Sequence, residues 1–379
     1  MTDNSVNTGQ VVTPAHTLIE KTFGLEYFTT APKIIEQIVK PKISKKKKGK
    51  VAPDSPEQVT LEEKPSIEVV STSAQVTKSE CNEVPVFGQN NAKRLVIAVL
   101  REVIAPFIDR SEDPEETISI RVNEREIIEV PARKMKSKEK LAGLRLCRAY
   151  GVVDASYEYN AVKTQAEIAN PNSVLFGDSV VEQSETAMLP SRVKYSSSYS
   201  IRERVKLTTK LTHNALSEQG TMWNREDKKF RQSLFSTEYI LPGTLFPSFI
   251  VIDDPTPESL IHILMCLRET RYGAQTSITG PNIKNTIVAI LGCQNEPPVT
   301  SYTITKNHPE LQESKDLLAD LIKTIIQDLS GTNGKLLSGK PLDDFLVEAN
   351  KLDGNSMKAI YAKLKQDAVE LCKYAGLDK

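Results

Sequence analysis

Residues 239–291 read YILPGTLFPSFIVIDDPTPESLIHILMCLRETRYGAQTSITGPNIKNTIVAIL, and this stretch decides the fold. Phe246 to Ile252 is an apolar run rich in large and β-branched residues, the mark of a strand covered on both faces. Asp253-Asp254-Pro255-Thr256-Pro257-Glu258 is a helix start. Thr256 is placed to cap it, and Pro257 sits at the first helical position, where its missing amide hydrogen costs nothing. Leu260, Ile263, Leu264 and Leu267 recur at helical spacing and give that helix one apolar face as far as Thr270. Residues 271–283 form a glycine-containing loop, and Thr286 to Leu291 is a second buried strand. The unit is strand, helix, loop, strand.

A similar unit precedes it. Leu95 to Val99, with Val103 and Ile104, reads as a buried strand, and Ile118 to Val122 alternates as a half-exposed one. Lys138 to Tyr150 carries Leu141, Leu144, Leu146 and Cys147 and reads as a helix ending at Gly151. Residues 152–190 are irregular and acidic. Over 192–240, Tyr195, Tyr199, Ile201, Val205 and Leu207 fall on odd positions, which is strand alternation. They predict a long polar hairpin with its tip at Gly220-Thr221-Met222-Trp223-Asn224. Residues 93–300 therefore predict an α+β fold, a ferredoxin-like or RNA-recognition-motif core sheet with long insertions, the largest a basic hairpin thumb at about 192–240.

The flanks differ. Residues 1–39 form an N-terminal segment with helical spacing at Ile34, Ile35, Ile38 and Val39. Residues 40–92 are a Lys-rich and Pro/Ser/Glu-rich linker or insertion, opening with seven lysines between Lys40 and Lys50. Residues 301–379 read as a C-terminal helical module. One helix carries Leu311, Leu318, Leu321, Ile322, Ile325, Ile326 and Leu329 and stops at Ser330-Gly331. Phe345 to Leu352 is a second, and a third is capped by Ser356.

Charge balance excludes a globally basic binder: 49 Lys and Arg stand against 49 Asp and Glu. The distribution is uneven. Arg133, Lys134, Lys136, Lys138, Lys140, Arg145 and Arg148 place seven positive charges in sixteen residues against Glu139 alone. They lead into a helix N-terminus, where free amides also favour phosphate, and Pro131 suggests a loop presenting them. The plainer alternative is a solvated helix face. Residues 192–231 hold Arg192, Lys194, Arg202, Arg204, Lys206, Lys210, Arg225, Lys228, Lys229 and Arg231 against four acids, a local charge of 10 − 4 = +6. Tyr195, Tyr199, Trp223 and Phe230 lie among them. Such a hairpin tracks a backbone and stacks bases, or is simply a charged hairpin packed on itself. In the glycine loop, Arg271, Gln275 and Lys284 can bond phosphate or sugar, and Tyr272 can stack. The loop is no Walker motif, since no Gly-Lys-Ser/Thr follows at the needed spacing.

Catalytic chemistry is poorly supplied. There is no Gly-x-Ser-x-Gly and no His-Glu-x-x-His. His262 stands one turn before Cys266, a pair that reads as helix packing, and Asp253-Asp254 reads as helix capping before Mg²⁺ binding. The five cysteines are scattered with no Cys-x-x-Cys, so neither a zinc knuckle nor a disulfide framework is indicated, and a reduced intracellular protein is expected. We expect no catalytic residue, no metal and no cofactor. No secretory signal and no membrane-length apolar run is present, which points to the cytoplasm and away from membranes.

The combined Pro-Gly-Thr-x-Phe-Pro and Arg-Tyr-Gly-Ala-Gln motifs, with Asn214-Ala215-Leu216 to Gly220-Thr221-Met222, resemble the backbone subunit of type I-D CRISPR surveillance complexes, a RAMP-type protein. Residues 94–300 carry the resemblance, and Tyr157-Glu158-Tyr159-Asn160 is a weaker match. It implies several copies stacked along one guide RNA, with other subunits of the complex and a target DNA strand as further partners. It implies a palm-like sheet holding the RNA, with Arg271, Tyr272 and Gln275 in the glycine loop and Thr221 and Met222 near a base-displacing thumb tip, to which the sequence itself adds the neighbouring Trp223. Base pairing would select the DNA target. Some members carry a cysteine-rich zinc insertion, which this chain lacks. The Lys-rich insertion and the C-terminal helices also depart from the family. The alternative within the same superfamily is a metal-dependent nuclease acting on guide precursor or bound target, with Asp154 or Asp178 as the acidic residue.

Overall fold

The structure, a computed structural model, describes residues 12–31, 92–109, 115–181, 186–214, 223–224, 226, 228–230, 234–273 and 281–377. The chain divides into two units, Val39–Asn90 and the remainder, and every described residue lies in the second. The helical spacing expected at 34–39 and the expected 40–92 segment, apart from Ala92, fall outside the described residues.

Six elements follow one another in the core: β1 (Arg94–Val103), α1 (Ala132–Ala149), β2 (Val193–Tyr195), β3 (Leu245–Asp253), α2 (Pro257–Glu269) and β4 (Ile283–Cys293). A further strand, β5 (Lys335–Ser338), completes an antiparallel sheet of order β5-β4-β1-β3-β2. β1 is central: Arg94 pairs with Asp253 of β3 and with Cys293 of β4, and a bulge at Ala98/Val99 shifts the β4 register. The mixed α+β class expected from the sequence is the one found.

Alternate residues of β1 serve two cores, as a period of two requires. Leu95, Ile97 and Val99 pack with residues of α1 and α2, such as Cys147 and Ile263, and with Phe345 of α4 (Lys340–Asn350) and Ile360 of α5 (Gly354–Tyr374). Val96, Ala98 and Leu100 pack with Leu321, Ile325 and Leu329 of α3 (Leu317–Ser330). Each Val, Leu, Ile or Phe among them contributes roughly 1.5–3 kcal/mol on burial. The consequence bears on the palm implied by the resemblance: α3 covers the sheet face opposite α1 and α2. A strand of nucleic acid over the centre of β1 would have to displace it.

Local chemistry explains the α2 start. Thr256 caps it, its hydroxyl accepting from the Ser259 amide at 3.2 Å, while the Ser259 hydroxyl accepts from the Thr256 amide at 2.9 Å. Pro257 follows as N1 and Thr270 ends the helix. Thr256→Ala is expected to cost about 1 kcal/mol in urea unfolding, since the helix loses its capping acceptor.

Four expectations need correction. α1 begins at Ala132, with Pro131 as its N-cap, so Arg133, Lys134 and Lys136 stand in the helix's first turns, not on a loop before it. Residues 195–207 are not one strand: β2 is followed by Ser198–Glu203, which joins the ribbon Ser119–Val122/Arg125–Val130, and then by a helical turn, Arg204–Leu207. The hairpin arms are Thr208–Asn214 and Leu234–Ile240. The third C-terminal helix is capped by Asp353, whose carboxylate accepts from the Ser356 amide at 2.8 Å. Residues 301–379, expected as helices alone, also supply β5. An N-terminal helix, Pro14–Thr22, capped by Thr13, was not foreseen.

Candidate nucleic-acid interface

The end of the sheet where β1 finishes and β3 and β4 begin gathers the features singled out in the sequence. Val103 of β1, Met135 of α1, Phe246 of β3, Ile283 of β4, Tyr272 of the glycine loop and Ile240 at the hairpin base share one apolar cluster with Phe107. Phe107 and Ile240 also exchange backbone hydrogen bonds of 3.1 and 2.8 Å. The start of α1, the glycine loop and the hairpin are therefore fixed to one another.

The glycine loop is clamped at its base. The Asn282 amide group donates to the Tyr272 carbonyl at 2.7 Å and accepts from the Tyr272 N–H at 3.0 Å. Gly273 has φ +82°, and a Cβ there would stand 3.0 Å from the Ile108 carbonyl oxygen, so the close approach of the 107–109 segment requires glycine.

Tyr272, expected to stack on bases, does something else. Its ring is 2% exposed. Its hydroxyl donates to Glu139 Oε1 at 2.7 Å and accepts from Arg101 Nη1 at 2.7 Å and from Asn285 Nδ2 at 2.8 Å. Arg101 of β1 and Glu139 of α1 are both wholly buried, 2.7 Å apart, and Tyr195 of β2 donates to Glu139 Oε2 at 2.6 Å. Burial is the largest single effect and works against the Arg101 charge, but Glu139 with Tyr272 and Tyr195 together outweigh it and hold the guanidinium protonated. Burial likewise pushes both tyrosine hydroxyls well above their usual range. Tyr272 is thus the pin between loop, sheet and α1.

Beside this pin lies a pocket of about 270 Å³ lined by Phe107, Ile108, Asp109, Lys134, Met135, Lys138, Tyr272 and Gly273. Two sequence clusters 135 residues apart meet here, Lys134 and Lys138 from the basic run and Tyr272-Gly273 from the loop. Lys134 and Lys138 are one turn apart on the same helix face. The first turn of α1 holds no acid, and Pro131 makes no side-chain cap. Asp109 is 5% exposed, with Oδ1 3.9 Å from Lys134 Nζ and Oδ2 buried without a hydrogen-bond partner.

Burial raises the Asp109 carboxyl to about 6, with Lys134 and then Arg133 pulling it back down. The sign follows: its folded pKa lies above the unfolded one, so its stabilising contribution is complete at low pH and is lost as pH rises through about 6. Asp367, raised to about 6 by burial, titrates in the same window. Comparison with a variant isolates Asp109: Asp109→Asn is expected to be more stable than the parent at pH 7.5, by roughly 1–3 kcal/mol, and no more stable at pH 4. Equal differences at both pH values, in thermal melts, would count against this.

The remaining candidates divide. Arg145 and Arg148 are exposed toward the other end of α1, roughly 15–20 Å from Lys134 at 1.5 Å per residue, and Arg148 donates to the Tyr157 carbonyl at 2.9 Å. Lys136 donates to Ser191 Oγ at 2.6 Å, and burial, then Lys140, lowers it to about 8. Lys194 pairs with Asp253 at 2.7 Å and Glu296 at 3.5 Å. Arg202 donates to the Gln312 and Ser314 carbonyls at 3.3 and 3.0 Å. Arg204 pairs with Glu126 at 2.8 Å, Glu238 at 2.9 Å and Glu116 at 3.3 Å. Arg202 and Arg204 brace the ribbon and the hairpin base, and Lys194 braces the edge of the sheet beside the end of β3, instead of forming a bare basic track. Arg271 and Lys284 are exposed, the latter 4.0 Å from Glu102. Gln275, Thr221 and Met222 lie outside the described residues. Trp223 is described only as backbone, in a short strand pairing Trp223–Asn224 with Lys229–Phe230.

The two acids weighed for metal-dependent cutting have structural partners. Asp178 accepts from the Tyr157 hydroxyl at 2.6 Å and from Ser173 Oγ at 2.8 Å, and Asp154 accepts from the Ser156 amide and hydroxyl at 2.8 and 2.7 Å. Among the described residues no three His, Cys, Asp or Glu side chains are grouped to hold a metal ion, and no helix is long and apolar enough to cross a membrane. His262 is packed in the core, with Nδ1 2.9 Å from the Tyr361 hydroxyl, and burial lowers it to about 4.

Fold and site together define an α+β protein with a doubly covered antiparallel sheet and a cationic pocket at the sheet's end. Residues 121–369, more than half of the chain, match the family described as Csc2 Crispr, and the chain belongs to that family. Its fold is similar to that in the crystal structure of Thermofilum pendens Csc2, at 14% identity and a TM-score of 0.50, over 74% of this chain and 89% of that one. Two weaker structural likenesses are to a chain of a CRISPR RNA-guided surveillance complex (10% identity, TM-score 0.42, 63% of this chain and 87% of that one) and to one of a type IV-B CRISPR complex (11%, 0.37, 55% and 96%). No curated protein matches the sequence.

Proposed function

We propose that this chain is a guide-RNA-binding backbone subunit of a type I-D CRISPR surveillance complex. Several copies, with the other subunits, coat one guide RNA in the cytoplasm and present it for pairing with a target DNA strand. Membership of the Csc2 family supports the setting. The order β4-β1-β3-β2, built from a chain order of β, α, β, β, α, β, supports a ferredoxin-like core of the kind used by RNA-recognition motifs.

The observation that carries the reading is the convergence of Lys134 and Lys138, in the first turns of α1, on the Tyr272-Gly273 turn. Phosphate is favoured near such a helix start by the helix dipole, and the two lysines add point charges. With the sheet face opposite α1 and α2 covered by α3, this reading puts the strand at the rim where the pocket lies. Nuclease footprinting of RNA that co-purifies with the full chain from its host tests the reading. RNA of defined length protected at regular intervals is the expected result. A monomer free of nucleic acid would sink it.

A further inference from the structure

We propose that Asp109 accepts a ribose 2′-hydroxyl in the pocket between α1 and the Tyr272-Gly273 turn, and so makes this site select RNA over DNA. The inference rests on the nucleic-acid reading above and adds to it the group that tells the two polymers apart.

A carboxylate is the wrong group for gripping phosphate, which it repels. Its presence on the wall of a pocket lined by Lys134 and Lys138 needs another explanation. Asp109 is 95% removed from solvent, and its Oδ2 has no partner in the protein. A buried acceptor left unpaired is costly, and an ionised carboxylate can only accept. The Cβ–Cγ torsion is broad, so a partial rotation brings the enclosed Oδ2 toward the pocket, whereas a half-turn would only put Oδ1 in its place. What satisfies it is a hydroxyl donor brought by the ligand.

The pocket fits such a ligand. Its volume of about 270 Å³ is just below the usual range for small-ligand sites and suits one sugar–phosphate unit better than a stacked pair of nucleotides. Phe107, Ile108 and Met135 give an apolar wall for sugar carbons, while Lys134 and Lys138 take the phosphate. The 2′-hydroxyl is the donor that RNA has and DNA lacks at this position. A deoxyribose in the same place leaves Asp109 desolvated and unpaired, so discrimination arises from the penalty on DNA as much as from the bond to RNA.

The test uses the full chain at pH 7.5, where Asp109 is ionised, and three single-stranded 30-mers of one sequence: RNA, DNA, and RNA with 2′-fluoro in place of every 2′-hydroxyl. Fluorine cannot donate, so fluorescence anisotropy should show RNA bound at least about tenfold more tightly than either of the others. In Asp109→Ala, verified as folded by its thermal melt, the RNA-to-DNA ratio should fall close to one. If 2′-fluoro RNA binds as RNA does, or if the ratio survives in Asp109→Ala, the proposal is overturned; the oligonucleotide series decides it without any variant. Equal binding of all three overturns the role of Asp109 and leaves the nucleic-acid reading standing. Binding of none overturns both.

Discussion

Replacing Lys134 and Lys138 together by glutamate should weaken binding of single-stranded RNA about a hundredfold at moderate salt. Each lysine is taken to make one charge-assisted bond to phosphate, contributing roughly 1.5 kcal/mol or more, and two such losses sum to about 3 kcal/mol. Reversal of charge adds repulsion to the loss. The effect has a second signature. A plot of log affinity against log salt should flatten by about 0.7 for each phosphate contact removed from a single strand. A mere loss of folding would not give that flattening with an unchanged melting temperature. Arg145→Glu with Arg148→Glu, on the far end of the same helix, should change affinity much less. Equal losses from both pairs would mean that α1 acts through overall charge and that the pocket has no special part.

The second large effect concerns stability. Glu139→Ala should destabilise the chain by roughly 3–5 kcal/mol, because Arg101 would remain wholly buried without its counter-charge. The hydroxyls of Tyr195 and Tyr272 lose their acceptor in the same step. Urea unfolding of the full chain reads this as a shift in midpoint. Replacing both partners, Arg101→Met with Glu139→Met, should recover most of the loss, since an apolar pair of similar volume carries no desolvation cost. The recovered stability need not bring back RNA binding, because Tyr272 would no longer be bonded to α1. A double variant as unstable as Glu139→Ala would show that the charges are not what the core depends on.

The legible part of this fold was the part written locally. The β3–α2 unit was readable because Thr256, Pro257 and the apolar stripe after them act within one turn of each other. The double burial of β1 was readable because all its residues from Leu95 to Leu100 are apolar. The partners of Arg204 were not legible because charge was counted along the chain. Arg204 is neutralised by Glu116, Glu126 and Glu238, of which only Glu238 belongs to the hairpin arms. Burial alone would oppose the Glu238 charge, yet the Thr117 hydroxyl and amide and Arg204 hold its pKa down at about 2. That pairing is set by tertiary structure, not by spacing. Tyr272 was misread for a related reason. An aromatic beside glycine in a loop looks available for stacking, and only the positions of Arg101 and Glu139 make it a buried pin. Asp109 left one faint local sign, a carboxylate directly after Phe107-Ile108. β5 was missed because four residues, Lys335 to Ser338, are too few to alternate convincingly.

The last elements of the chain carry a consequence for its synthesis. A ribosome that has released residues up to 300 has delivered β1 to β4 and both helices of the core, but not α3, which shields Val96, Ala98 and Leu100. Until α3 and β5 emerge, a growing chain holds an uncovered apolar sheet face and the open edge of β4. Both are sites at which unfinished chains adhere to one another. Nonsense mutations between 300 and 317 should therefore yield insoluble fragments, although every residue of the cationic pocket is already present in them.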